Sequence, residues 1–188
     1  MIDDRQYQGG ATEGGDGEAR TAPDPVGLRR HAMDLLARRE HSRLELIEKL
    51  RRYCGRAQAA RSADGPMPAA DPSATETLIE RTVDRLQEDG LQSDARYAEV
   101  LIRSRFNRGQ GPLRIRSDLR QRGLDAAAVE TLLDAYTDTW PDLAQQVVSR
   151  RFGEEAAADR REWAKRARFL AGRGFPEGLV AKVLGPLP

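Results

Sequence analysis

The sequence predicts an all-α chain of tandem three-helix repeats, forming an elongated, curved array. Three observations carry that prediction. Apolar residues recur at helical spacing from residue 28 to residue 184, with no convincing alternating stretch to compete as a strand. Three segments share one pattern, "ELIEKLRRYCG" (45–55), "RIRSDLRQRG" (114–123) and "AKRARFLAGRG" (164–174): an apolar-periodic run to a leucine, a short basic stretch, then glycine. Aromatics make up only 5% of the 188 residues against 32% charged, which suits small leucine-based bundles better than one thick core.

Residues 1–25 hold six acids against Arg5 and Arg20 and almost no bulky apolar side chain, so they read as a disordered acidic tail. The first repeat (26–90) follows, with stripes Leu28/Ala32/Leu35/Leu36, Leu46/Ile47/Leu50/Tyr53 and Leu78/Ile79/Val83/Leu86. Its Pro-, Ala- and Ser-rich stretch 55–75 reads as a flexible insertion between the second and third helices. The second repeat (91–138) carries Tyr97/Ala98/Leu101/Ile102/Phe106, Ile115/Leu119 and Val129/Leu132/Leu133/Tyr136. The third (139–188) carries Leu143/Ala144/Val147/Val148, Trp163/Ala167/Leu170 and Leu179/Val180/Val183/Leu184. Leu119 to Leu133 and Leu170 to Leu184 are both 14 positions apart, the register expected of a repeat. Stacking such bundles buries their shared faces.

Helix boundaries follow from local chemistry. Ser42 with Glu45, Ser73 with Glu76 and, more loosely, Asp159 with Glu162 have capping-box spacing. Pro112, Pro141 and Pro176 suit a first helical position, where the missing N–H costs nothing. Gly55, Gly90, Gly123 and Gly174 follow helical runs, as left-handed C-terminal caps do.

Catalytic chemistry finds no footing. "GQGPLR" (109–114) lacks the third glycine of a dinucleotide fingerprint and the terminal GK[ST] of a phosphate loop, and no strand precedes it. Its glycines read as a helix-to-helix corner. His31 and His41 stand ten positions apart without ligand spacing, and the lone Cys54 has no local base and no disulfide partner. The expectation is a protein that is not an enzyme and has no cofactor. No signal-peptide core or long apolar run is present, so neither secretion nor a membrane partner is expected and a reducing cytoplasm is the default.

The informative feature is charge. Net charge is only +1, yet residues 29–61 hold ten cations against four acids, residues 103–122 seven arginines against Asp118, and residues 125–142 five acids and no cation. Within 114–122, Asp118 stands four residues from both Arg114 and Arg122 and can partly neutralise them. Arg116 and Arg120, beside the Ile115/Leu119 stripe, have no acid at helical spacing and read as unpaired, together with Arg103, Arg105 and Arg108 on the preceding helix. A solvated face ordinarily mixes signs, so a partner-binding surface is the favoured reading. From charge alone the partner is either a nucleic acid or an acidic protein groove.

Three stretches together resemble the RecX regulators of the RecA recombinase: "LLARREHSRLELIEKL" (35–50), "LQEDGLQSDARYAEVLIRSRFNRGQGPLRIRSDLRQRGL" (86–124) and "FLAGRGFPEGLVAKVL" (169–184). The resemblance implies an all-α array of three-helix repeats that lies along the groove of the RecA–DNA filament. It further implies suppression of ATP hydrolysis, strand exchange and the co-protease activity behind the SOS response, with no active site of the regulator's own. Expected partners are therefore the RecA nucleoprotein filament and, weakly and without sequence preference, single- and double-stranded DNA, met by a monomer. The candidate contact residues are Arg38, Arg39 and Arg43 in the first repeat, Arg103, Arg105, Arg108, Arg116 and Arg120 in the second, and Arg168 and Arg173 in the third. The alternative is a direct DNA-binding module of helix-turn-helix type, such as a transcription regulator. Base-reading Asn and Gln side chains are sparse on the basic helices, which disfavours it. The acidic tail and the 55–75 stretch lie outside the resemblance.

Overall fold

A computed structural model describes residues 24–63 and 71–188, the side chains of 61–63 excepted; the expected disordered tail falls almost wholly outside them. The described chain is helical, in the order α1 (Pro25–Leu36), α2 (Arg43–Ala63), α3 (Pro72–Glu88), α4 (Asp94–Asn107), α5 (Pro112–Gln121), α6 (Ala126–Asp134), α7 (Trp140–Phe152), α8 (Arg160–Gly172) and α9 (Glu177–Leu184). A 3-10 turn at Thr137–Thr139 leads into α7. Every apolar stripe named above lies on one of these helices, except that Tyr136 falls just past the end of α6.

Two cores form. Leu28, Ala32, Leu46, Ile47, Leu50, Cys54, Ile79, Val83 and Leu86 bury together between α1, α2 and α3. The second core runs without interruption from α4 to α9, joining Ile102, Ile115, Leu119 and Val129 to Val147, Leu170 and Phe175. Three contributors fall outside the periodic stripes: Leu124, Trp140 and Phe175 are all buried, and Trp140 stacks obliquely with Phe106 and Tyr136. The first two occupy turns or helix ends and Phe175 follows a glycine, where helical periodicity carries no signal.

Some boundaries differ from the sequence expectation. α2 does not stop at Gly55 but continues to Ala63, and α3 starts at Pro72, so the expected flexible stretch 55–75 is helical at both ends; residues 64–70 lie outside the described chain. One interior glycine costs a helix only about 1 kcal/mol relative to alanine, and the Ala, Gln and Arg residues that follow sustain the helix. A Cβ on Gly55 would meet nothing within 4 Å. Gly55→Ala is accordingly expected to raise stability by about 0.5–1 kcal/mol, measured by urea unfolding. α3 is capped by Asp71, whose side chain accepts from Ser73 N at 2.9 Å, because Pro72 takes the first helical position and holds Asp71 extended. Pro176 is likewise the extended N-cap of α9 rather than its first residue. Ser42 and Asp159 do accept from the N–H three residues on, while Glu45 turns away to other partners.

Gly123 and Gly174 are left-handed and play one role twice. Each ends the second helix of its trio and presses against the start of the second helix of the trio before it. A Cβ on Gly123 would lie 2.9 Å from Leu44 Cβ, at the start of α2, and one on Gly174 would lie 2.6 Å from the backbone N of Arg114, at the start of α5. At the later seam the backbones bond directly, Gly111 N donating to Arg173 O at 2.8 Å and Leu113 N to Gly174 O at 3.0 Å.

Candidate partner-binding surface

The ten candidate arginines separate into those held by the fold and those left to solvent. Arg116 and Arg120 are not unpaired. Arg116 Nε and Nη2 grip the Glu130 carboxylate at 2.7 and 2.6 Å, and Arg120 Nη2 reaches it at 3.3 Å. The pairing acid arrives from α6, not from α5, so spacing along one helix misses it. Hydrogen bonding from Arg116 holds the Glu130 carboxyl below the ordinary carboxylate range. Asp118 pairs with Arg114 at 3.5 Å, as its spacing predicts, and also with Arg105 across from α4 at 2.8 Å, a partner that spacing along one helix misses.

In the first trio Arg43 pairs with Asp84 of α3 at 2.7 Å. Arg39 makes a bidentate bond to Glu45, at 2.5 and 3.1 Å. Arg173 donates to the carbonyl of Arg108 at 2.9 Å and lies over the Phe169 ring at 4.9 Å, which orients it while leaving its charge without a counter-ion among the described residues. Arg38, Arg103, Arg108 and Arg168 are exposed and form no ion pair among the described residues. The structure thus brings Arg108 and Arg173 together across the later seam and commits Arg39, Arg43, Arg105, Arg116 and Arg120 to internal carboxylates.

The junction of α1–α3 with α4 is a buried polar network, whereas a continuous apolar core crosses the later seam. His41, Ser42, Glu45 and Gln92 are all buried there. Gln92 Nε2 donates to His41 O at 3.0 Å and to Asp94 Oδ1 at 2.8 Å, Asp94 also accepts from Arg43 N at 2.7 Å, and Arg96 reaches Glu40 at 2.8 Å. Asp94 thereby satisfies an orphan N–H at the start of α2. Burial raises the Glu45 carboxyl, but Arg39 and His41 outweigh it and hold that group below its usual range.

His41 Nδ1 lies 3.2 Å from Glu45 Oε2, yet burial, followed by the charge of Arg39, pushes its imidazole below the ordinary 6.5. The folded chain therefore keeps His41 neutral at a pH where the unfolded chain binds a proton. Stability falls as pH drops from about 6.5 through the depressed value. His31, stacked on Tyr53 at 4.2 Å, is shifted the same way by burial and then by Arg56. The urea midpoint is expected to decline between pH 7.5 and 5.5, and His41→Gln to remove part of that decline. Equal slopes in both chains would exclude His41 as a source.

Among the described residues, no cluster of three or more His, Cys, Asp or Glu side chains is placed to hold a metal, and no helix is long and apolar enough to cross a membrane. What the surface offers is guanidinium groups, multidentate donors suited to phosphate and carboxylate oxygens.

Comparison with known proteins places this arrangement. Family models for the second and third three-helix domains of RecX match residues 93–133 and 141–184. The Regulatory protein RecX of Pseudomonas syringae pv. tomato is 42% identical over 160 residues, covering 85% of this chain and 91% of that protein. This chain belongs to the RecX family. Regulatory protein RecX of Pseudomonas fluorescens is 40% identical over 159 residues, 85% of this chain and 90% of that one. The crystal structure of RecX from Lactobacillus salivarius, at 22% identity, superposes with a TM-score of 0.64 over 85% of this chain and 93% of that chain, and so shares its fold. The match to RecX domains accounts for helices α4–α9, and membership of a family of regulatory proteins points to regulation rather than catalysis.

The sequence reading passed over two cations of this RecX-family surface. Arg150 and Arg151, in the last turn of α7, are exposed and form no ion pair among the described residues. They sit in the first helix of their trio, and basic residues concentrate in the first two helices of the trios before it, a rule that would have found them. Arg166 was also missed, but it is buried and bonded to Glu155 O at 2.5 Å and Glu162 at 2.6 Å, so its role is structural.

Proposed function

We propose that this chain is a cytoplasmic, monomeric modulator that docks along the groove of the RecA–DNA filament and suppresses its ATP hydrolysis, strand exchange and co-protease activity, so restraining recombination and the SOS response. Supporting this, beyond membership of the RecX family, is one observation: each trio of helices keeps exposed arginine outside any described ion pair. Arg38 serves in the first, Arg103 and Arg108 in the second, Arg168 in the third. Several weak contacts on one chain, meeting a regularly repeating filament, multiply into avidity without any tight single contact. Arg39, Arg43, Arg105, Arg116 and Arg120 act behind this surface by fixing the helices that carry it.

Direct reading of a DNA sequence is the weaker proposal. In a helix-turn-helix module the last helix enters the major groove, and α6 carries Glu130 and Asp134 with no cation. The deciding measurement is the DNA-dependent ATPase of RecA with this chain in stoichiometric excess. Inhibition supports the filament reading; unchanged turnover and unchanged strand exchange would sink it.

A further inference from the structure

We infer that the seam between α4 and α7–α8 forms a phosphate-binding cleft that takes the backbone of a DNA strand. The cleft, about 280 Å³, is lined by Asn107, Arg108, Arg150, Arg151, Phe169 and Arg173, and no acidic side chain lines it. Arg173 is oriented in advance by its bond to the Arg108 carbonyl and by the Phe169 ring beneath its guanidinium. Arg108, Arg150 and Arg151 have no carboxylate partner among the described residues, whereas Arg105, Arg116 and Arg120 nearby in sequence all do. Arg150 also borders a shallow groove with Asp142 and Glu154, which makes it the least committed of the four.

A single carboxylate is satisfied by one bidentate arginine. Four arginines lining one cleft that no acid lines match a polyanion whose charge repeats at every unit, and guanidinium geometry suits phosphate oxygens. The cleft draws on both trios: Asn107 and Arg108 come from the end of α4, Arg150 and Arg151 from α7, Phe169 and Arg173 from the end of α8. It therefore exists only because Gly109, Gly111 and Gly174 let the two trios close on each other. This assignment rests on the docking to a DNA-carrying filament proposed above and is tested without RecA, so its failure leaves filament docking standing.

The experiment measures binding of a fluorescent single-stranded oligonucleotide by anisotropy over 50–200 mM salt. Arg108→Ala/Arg150→Ala/Arg151→Ala is compared with Arg81→Ala/Arg85→Ala/Lys182→Ala, which removes the same charge elsewhere. Single-strand binding loses about 0.7 in the slope of log K against log salt for each phosphate contact removed. The cleft triple should lower the slope by about 2 and the affinity at 50 mM salt at least tenfold, with the charge-matched triple clearly less affected. Arg108→Glu alone, on an exposed turn, should also lose several-fold and guards against a folding defect in the triple. Equal losses in both triples would mean a diffuse field rather than a site, and overturn the assignment. So would displacement of the strand by low-millimolar inorganic phosphate. Loss of poly-glutamate binding with DNA binding intact would overturn it too, by reassigning the cleft to an acidic protein.

Discussion

Gly174→Ala is expected to lower stability by about 2–4 kcal/mol, and the melting temperature by about 5–10 °C. Two physical terms add. At φ +90° the residue lies where an L side chain is strained, by about 1–2 kcal/mol. The new Cβ would then sit 2.6 Å from both the backbone N and the Cβ of Arg114. A backbone cannot rotate aside as a side-chain tip can, so relief requires the seam to open, and overpacking of this kind costs about 1–3 kcal/mol. Opening also lengthens the bonds Gly111 N to Arg173 O and Leu113 N to Gly174 O. For a chain of this size each kcal/mol is about 2–4 °C. Gly111→Ala isolates the steric part: its φ of −83° suits any residue, but its Cβ would meet the Gly174 carbonyl oxygen at 2.5 Å. It should destabilise by somewhat less. Gly178→Ala, with nothing within 4 Å, should not destabilise at all. Thermal unfolding of the three variants checks this order, and a Gly174→Ala chain melting within 1 °C of the parent would refute the seam as described. Because one core runs from α4 to α9, its loss should be cooperative across those six helices.

Charge reversal at Arg38, Arg103 and Arg168 is expected to weaken inhibition of the RecA ATPase at least tenfold while leaving the melting temperature within about 2 °C. None of the three is buried or ion-paired among the described residues, and exposed substitutions of this kind ordinarily shift stability by about 0.5 kcal/mol or less. Loss from all three trios at once compounds through avidity. Arg116→Glu/Arg120→Glu should behave in the opposite way. It would set two new carboxylates against Glu130 and remove the clamp between α5 and α6, so its main effect is on folding. The two variants are compared in the same assay with melting curves alongside. If the α5 pair abolished inhibition with the fold intact and the exposed triple did nothing, the contact surface would lie on α5.

Most of the helical architecture was legible because it is written in short-range chemistry. Each stripe of leucine, isoleucine and valine needs only its own helix to be recognised, and the left-handed glycines at 90, 123 and 174 follow from the backbone's need for a positive φ. The misses share a cause. Gly55 resembles the other terminal glycines but nothing crowds it, and the helix runs through. Asp71 displaced Ser73 as a cap because the proline between them decided where the helix starts. Trp140 and Phe175 join the core from a helix start and a turn, where there is no period to read.

The candidate surface was legible in kind but not in detail. Sign segregation along the chain suggested a basic partner-binding surface. In three dimensions much of it is complementarity within a trio: basic α5 lies on acidic α6, and α2 sends Arg43 and Arg51 to Asp84 and Glu76 of α3. Counter-ions ten to forty residues away are invisible to helical spacing. The sequence by itself determined that this chain is helical, repeated and arginine-rich, because propensity, periodicity and composition act locally. Only the tertiary structure decided which arginines are consumed by the fold and which are free. An ion pair depends on distance in space, and the packing of one helix on the next sets that distance.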